Sequence, residues 1–103
     1  MSESIQPVVS ALTARVMRSV GIDPDRVRSK HWLRCIAQDE NGLWAGYDRY
    51  VVLDEEQQLW TVPKDEPFVM SVCVGQGRQN DNWKNTLFFV PCGTRMGRND
   101  DGK

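Results

Sequence analysis

The run Pro67–Gly75, Pro-Phe-Val-Met-Ser-Val-Cys-Val-Gly, constrains the fold more than any other stretch of the chain. Strand-type residues fill it, a proline opens it and a glycine closes it. Phe68, Met70, Val72 and Val74 alternate with Val69, Ser71 and Cys73. Both sides are mostly apolar, which predicts an inner strand of a sheet covered on both faces.

A second strong signal lies upstream. Asn41-Gly42 is the dipeptide of a two-residue hairpin turn, whose central positions both need positive φ. It predicts a strand over 31–40 joined to a strand over 43–53, with Leu33 facing Tyr50, Cys35 facing Asp48 and Trp32 facing Val51. A turn at Asp54–Gln58 then sets Leu53 against Leu59 and Val52 against Trp60. A turn at Pro63–Pro67 sets Val62 against Phe68, and a loop over 75–85 returns the last strand, Thr86–Pro91, so that Val72 faces Phe88 and Met70 faces Val90.

Before the strands, residues 4–20 read as an amphipathic helix. Ile5, Val8, Val9, Leu12, Val16 and Val20 recur at helical spacing, Ser4 is placed to cap the start, and Gly21 suits the left-handed stop. Arg15 and Arg18 lie toward its negative end. Asp23-Pro24 then starts a short capped turn. The fold expected is α+β: an N-terminal amphipathic helix packed on a curved five-strand antiparallel meander. Its sheet face toward the helix would hold Leu33, Tyr50, Val52, Trp60, Val62, Phe68, Met70, Val72, Phe88 and Val90. Residues 1–92 make one domain, and 93–103 a polar tail.

Chemistry is sparse. Cys35, Cys73, Cys92 and His31 are the right residue types for zinc, but the expected register leaves Cys73 and Cys92 roughly 17 Å apart, so no metal or other cofactor is expected. His31 is the single histidine and no local motif holds a serine or cysteine beside it. The acid pairs Asp39/Glu40 and Glu55/Glu56 fall at hairpin tips. Gly75-Gln-Gly-Arg-Gln lacks the helix that a phosphate loop needs. No catalytic residues are therefore expected.

Charge and context bound the rest. Net charge is −1, with six Arg/Lys in 15–34 and eight acids in 39–66. There is no signal-like start or membrane-length apolar run, and three unspaced cysteines suit a reducing cytoplasm. The leading expectation is a small non-catalytic interaction module that binds another protein, an accessory chain of the kind mobile genetic elements carry. Arg78, Trp83 and Lys84 on the long loop are its candidate contacts.

A ligand-binding roll with a pocket at Tyr50, Trp60, Phe68, Met70 and Phe88 is the alternative. Nucleic-acid binding through Arg26, Arg28, Lys30, His31 and Arg34 is the third. One helix covers one sheet face only. The other, with Trp32, Ile36, Tyr47, Val51, Leu53, Leu59, Val69, Leu87 and Phe89, is therefore expected to pack against a second copy in a twofold dimer.

Overall fold

The computed structural model describes residues 5–63 and 69–94. Its elements are β1 (Ile5–Pro7), α1 (Ala11–Val20), α2 (Pro24–Arg28), β2 (Cys35–Gln38), β3 (Leu43–Tyr47), β4 (Val52–Asp54), β5 (Leu59–Thr61), β6 (Ser71–Gln76), β7 (Phe88–Phe89) and β8 (Cys92–Thr94), with a 3-10 turn at Trp83–Asn85. The class is α+β and all pairings are antiparallel, as expected. The single five-strand meander is not what forms. The described strands make a four-stranded sheet in the order β6-β3-β2-β7, a β4-β5 hairpin, and a β1-β8 ribbon.

The first helix is shorter than its periodicity suggested. Pro7 lies in β1, and Val8 N donates to Pro91 O at 2.7 Å, which keeps the chain extended there. The helix starts at Ala11 because Ser10 caps it, its Oγ accepting from Thr13 N at 3.1 Å. Ser4 lies outside the described residues. Gly21 ends the helix at φ 100°, and Asp23 caps α2 through Asp25 N, both as the sequence implied.

Each hairpin register differs from expectation by one residue. Cys35 faces Tyr47, and Gln38 faces Trp44. Gly42 alone takes positive φ, Gly42 N donates to Asp39 O, and Asp39 N donates to Leu43 O. The loop thus has three residues with glycine in the left-handed position, and the extra residue moves every partner. In the second hairpin Leu53 faces Trp60, with Gln58 left-handed at φ 57° and Asp54 Oδ1 accepting from Glu56 N and Gln57 N.

The larger correction concerns β6 and β7. Expected as neighbours, they lie on opposite edges: β6 pairs with β3, and β7 with β2. So β6 is an edge strand rather than an inner one, and Pro67 and Phe68, expected to begin it, lie outside the described residues. The edge is partly closed by α1's exit, where Ile22 bridges Gly75, Asp23 N donates to Val74 O and Gln76 N donates to Gly21 O. The register of β6 against β3 shifts between Trp44 and Ala45, leaving Val74 as the extra residue. Gly93 and Thr94, expected in the tail, belong to β8; residues 95–103 lie outside the described residues.

Two apolar layers result, one on each face of the sheet. Met17, Ile22, Val27, Leu33, Ile36, Trp44, Val74 and Val90 pack between sheet and helices. Cys35, Ala37, Ala45, Tyr47 and Val51 pack on the other face under Trp60, Val62 and Leu87. The face that the dimer was to bury is covered by the chain's own second hairpin and by Leu87.

Candidate docking groove along the first helix

Helix α1 buries an unexpected side. Ala14 and Met17 are its buried residues, whereas Leu12 is 70% exposed, Val16 57% and Val20 43%. These three follow i, i+4, i+8 spacing, so they form one apolar ridge along two turns of the helix. The helix therefore anchors by its small and flexible side chains and leaves its branched ones outside. Beside the ridge runs a groove of about 450 Å³, walled by Leu12, Val16, Val20, Met17, Ile22, Trp44 and Phe88, with Thr13 as its polar member. Trp44 and Phe88 meet edge to face at 6.5 Å and form the floor.

Hydrogen bonds tie the helix end to the groove floor and to its own cap. Trp44 Nε1 donates to Val20 O at 2.9 Å, Ile22 N donates to Met17 O, and Gly21 N donates to Arg18 O. Of the last four helix carbonyls, those of Met17, Arg18 and Val20 are thus hydrogen-bonded within the chain.

At the same end lies a polar cavity of about 820 Å³ that shares Val20 and Trp44 with the groove. Arg18 and Arg78 stand on its wall with the amides of Gln38, Gln76, Gln79 and Asn80, and no carboxylate does. Gln38 is 2% exposed and fully employed. Its Nε2 donates to Gly42 O and Arg78 O, its Oε1 accepts from Asn80 Nδ2, its backbone N donates to Thr86 Oγ1, and its backbone O accepts from Trp60 Nε1. This network fixes the 77–87 loop as it crosses from one sheet edge to the other. Arg18 and Arg78 make no ion pair among the described residues.

The loop residues named from sequence divide. Arg78 is exposed on the cavity wall. Trp83 is turned inward, 4% exposed, and meets Trp60 edge to face at 6.1 Å. Lys84 lies over the Trp83 ring and pairs with Glu55 at 3.3 Å. The tryptophan folds back to cover the sheet instead of anchoring a partner.

The candidate pocket is not assembled. Trp60 lies on the second face, Phe88 in the helix groove, Tyr50 and Met70 are exposed, and Phe68 lies outside the described residues. Nor do the dimer-face residues share a surface. Val51 and Tyr47 are buried, Trp32 packs on the helix side, Leu87 packs on the hairpin side, and Leu53 is half-buried. Leu59 and Val69 are partly exposed, and Phe89 is exposed with Tyr50 stacked on it at 5.5 Å.

The basic segment is largely spent on its own chain. Arg28 pairs with Asp25 and donates to Val9 O, Arg26 pairs with Asp23 and donates to Cys73 O, and Arg34 donates to His31 O and Leu33 O. Among the described residues no three His, Cys, Asp or Glu side chains gather as a metal site, and no helix is long and apolar enough to cross a membrane.

A second cleft, of about 690 Å³, holds Asp39, Glu40 and Tyr47 beside Trp60. Burial raises both the Asp39 carboxyl and the Tyr47 phenol above their ordinary values, which favours their neutral forms. Cys35 beside them is also raised by burial, and its thiol donates to Arg49 O. Asp48, by contrast, is held low by the two hydrogen bonds of the Arg49 guanidinium at 3.0 and 3.1 Å.

No protein-family model, curated protein or solved structure matches the chain.

The sequence carries the ridge in plain view, as Leu12-x-x-x-Val16-x-x-x-Val20, but periodicity alone reads it as core. The counter-signal is Ala14-x-x-Met17, a second apolar pair on the adjacent face with a small residue that permits close approach to the sheet.

Proposed function

We propose that the protein is a non-catalytic interaction module whose α1 ridge and groove bind a segment of another protein. One observation carries this reading: a helix whose branched side chains are 43–70% exposed along a single line, beside an apolar groove. Burying the exposed part of three such side chains on a partner is worth about 1–2 kcal/mol each before the costs of association. Helix-in-groove recognition relies on an apolar face of helical period laid against a hydrophobic groove.

A small apolar ligand is the second reading, and the groove's volume lies within the usual range for such sites. The exposure of the walls speaks against it. Small-ligand sites enclose most of the ligand surface, and Leu12 and Val16 stand more than half in solvent. A longer partner segment covers both ridge and groove at once.

The test is cross-linked capture in the source cell, followed by titration with the purified partner. Wild-type chain should bind it, and Leu12→Glu and Val16→Glu should each weaken binding at least tenfold. A partner that binds the Val16→Glu chain equally well, or a complete lack of any ridge-dependent partner, contradicts the proposal.

A further inference from the structure

We infer that the segment docking on α1 is an amphipathic helix with an acidic end, and that Arg18 and Arg78 receive its carboxylates in the polar cavity at the groove's end. This rests on the groove being a protein-docking site and adds the partner's chemistry and direction.

Charge complementarity chooses the occupant. The ten residues of α1 include two arginines and no acid; Arg15 stands beside the ridge, and Arg18 lies at the helix end on the cavity wall. Two copies of this helix laid against each other would bring arginines toward arginines, which disfavours a second copy as occupant. A segment bearing Asp or Glu meets the opposite condition.

The position of the cations sets the direction. Arg18 and Arg78 converge on one cavity from α1 and from the 77–87 loop, more than fifty residues apart in sequence. The cavity borders the groove at Val20 and Trp44, so a segment lying along the ridge and continuing past Val20 comes beside it. The amides of Gln38, Gln76 and Asn80 donate within the chain, and the Met17, Arg18 and Val20 carbonyls at the helix end are hydrogen-bonded, which leaves the two guanidiniums as the cavity's cationic groups. Arg78 is placed by the buried Gln38, which holds the Arg78 carbonyl at 3.1 Å. Guanidinium groups on a firm backbone suit paired recognition of carboxylate.

The experiment is selection of a displayed random 16-residue peptide library on the full chain. The baits are wild type, Val16→Glu and the double variant Arg18→Glu/Arg78→Glu. All three substituted positions are exposed, and a thermal melt of each variant confirms that it folds. Wild type should enrich peptides with apolar residues at i, i+4 and an Asp/Glu cluster at one end. The double variant should keep the apolar spacing and shift the end to Lys/Arg.

An enriched acidic peptide, followed by fluorescence anisotropy at low salt, should lose about tenfold or more in affinity for the double variant. It should also weaken as salt is raised. Apolar-spaced peptides without acidic preference, and indifferent to the double substitution, overturn this inference and leave the docking groove standing. Peptides that bind Val16→Glu as well as wild type overturn both. Sedimentation showing a dimer that Val16→Glu dissociates would assign the groove to a second copy and likewise overturn the acidic partner.

Discussion

Gln38 joins the hairpin tip, the crossing loop and the second hairpin through five hydrogen bonds, at 2% exposure. Gln38→Leu keeps the bulk and removes the side-chain amide, leaving the Gly42 and Arg78 carbonyls and the Asn80 amide without that partner. The expected loss is about 2–3 kcal/mol in urea unfolding, since orphaned buried groups cost about 1–3 kcal/mol each and the outer ones regain water. A change under about 0.5 kcal/mol would refute the hub.

Cys35 and Tyr47, paired across β2 and β3, set an alkaline limit. Burial raises both above their ordinary values, so the folded chain keeps protons that the unfolded chain has released. The sign follows: their contribution is complete below the ordinary thiol value of 9.0 and is lost as pH rises above it. The urea midpoint should therefore fall between pH 8 and pH 10.5, and fall less in Cys35→Ala. Neither residue's role was legible beforehand, because the one-residue register error had set Cys35 against Asp48 instead of Tyr47.

At the scale of elements, local signals were readable and long-range pairing was not. Gly21, the Asp23-Pro24 cap and both hairpin turns are written in two or three adjacent residues each. The covering of the β6 edge rests on Gly75 and Gly77, whose missing side chains let α1's exit lie against the strand. A Cβ on Gly75 would come within 2.7 Å of Ile22 Cα, and one on Gly77 within 2.6 Å of Val20 O. Gly75→Ala should then cost about 2–3 kcal/mol as the stitch between α1 and β6 opens. Gly93→Ala, whose Cβ meets only Val8 Cγ2 at 3.5 Å, should be nearly neutral. Equal melting temperatures for the two variants would contradict this packing. No rule of turn chemistry in the sequence tells that the 77–87 loop crosses the sheet end; Trp83 and the Gln38 network become visible only once it has.

For the molecule as a whole, the sequence argument found both sheet faces apolar, and that was sound. Helices cover the first face as expected, though α1 packs by a different side than its period implied, and a hairpin of the same chain covers the second. The second face is covered by β4-β5 and Leu87, so Val51, fully buried, belongs to the interior. Val51→Asp should therefore destabilise the chain by more than about 3 kcal/mol, reading as lost cooperative unfolding rather than as a folded monomer.

On the first side, the residues expected in the core, Leu12, Val16 and Val20, are the ones left in solvent. The sequence could not separate the cases, because an exposed docking ridge and a core-facing ridge share one period. Stability separates them. Measured by urea unfolding, Val16→Glu should change the free energy by less than about 1 kcal/mol, as exposed helical positions do. A loss of about 3 kcal/mol or more would put the ridge in the core and remove the surface on which the proposed function depends.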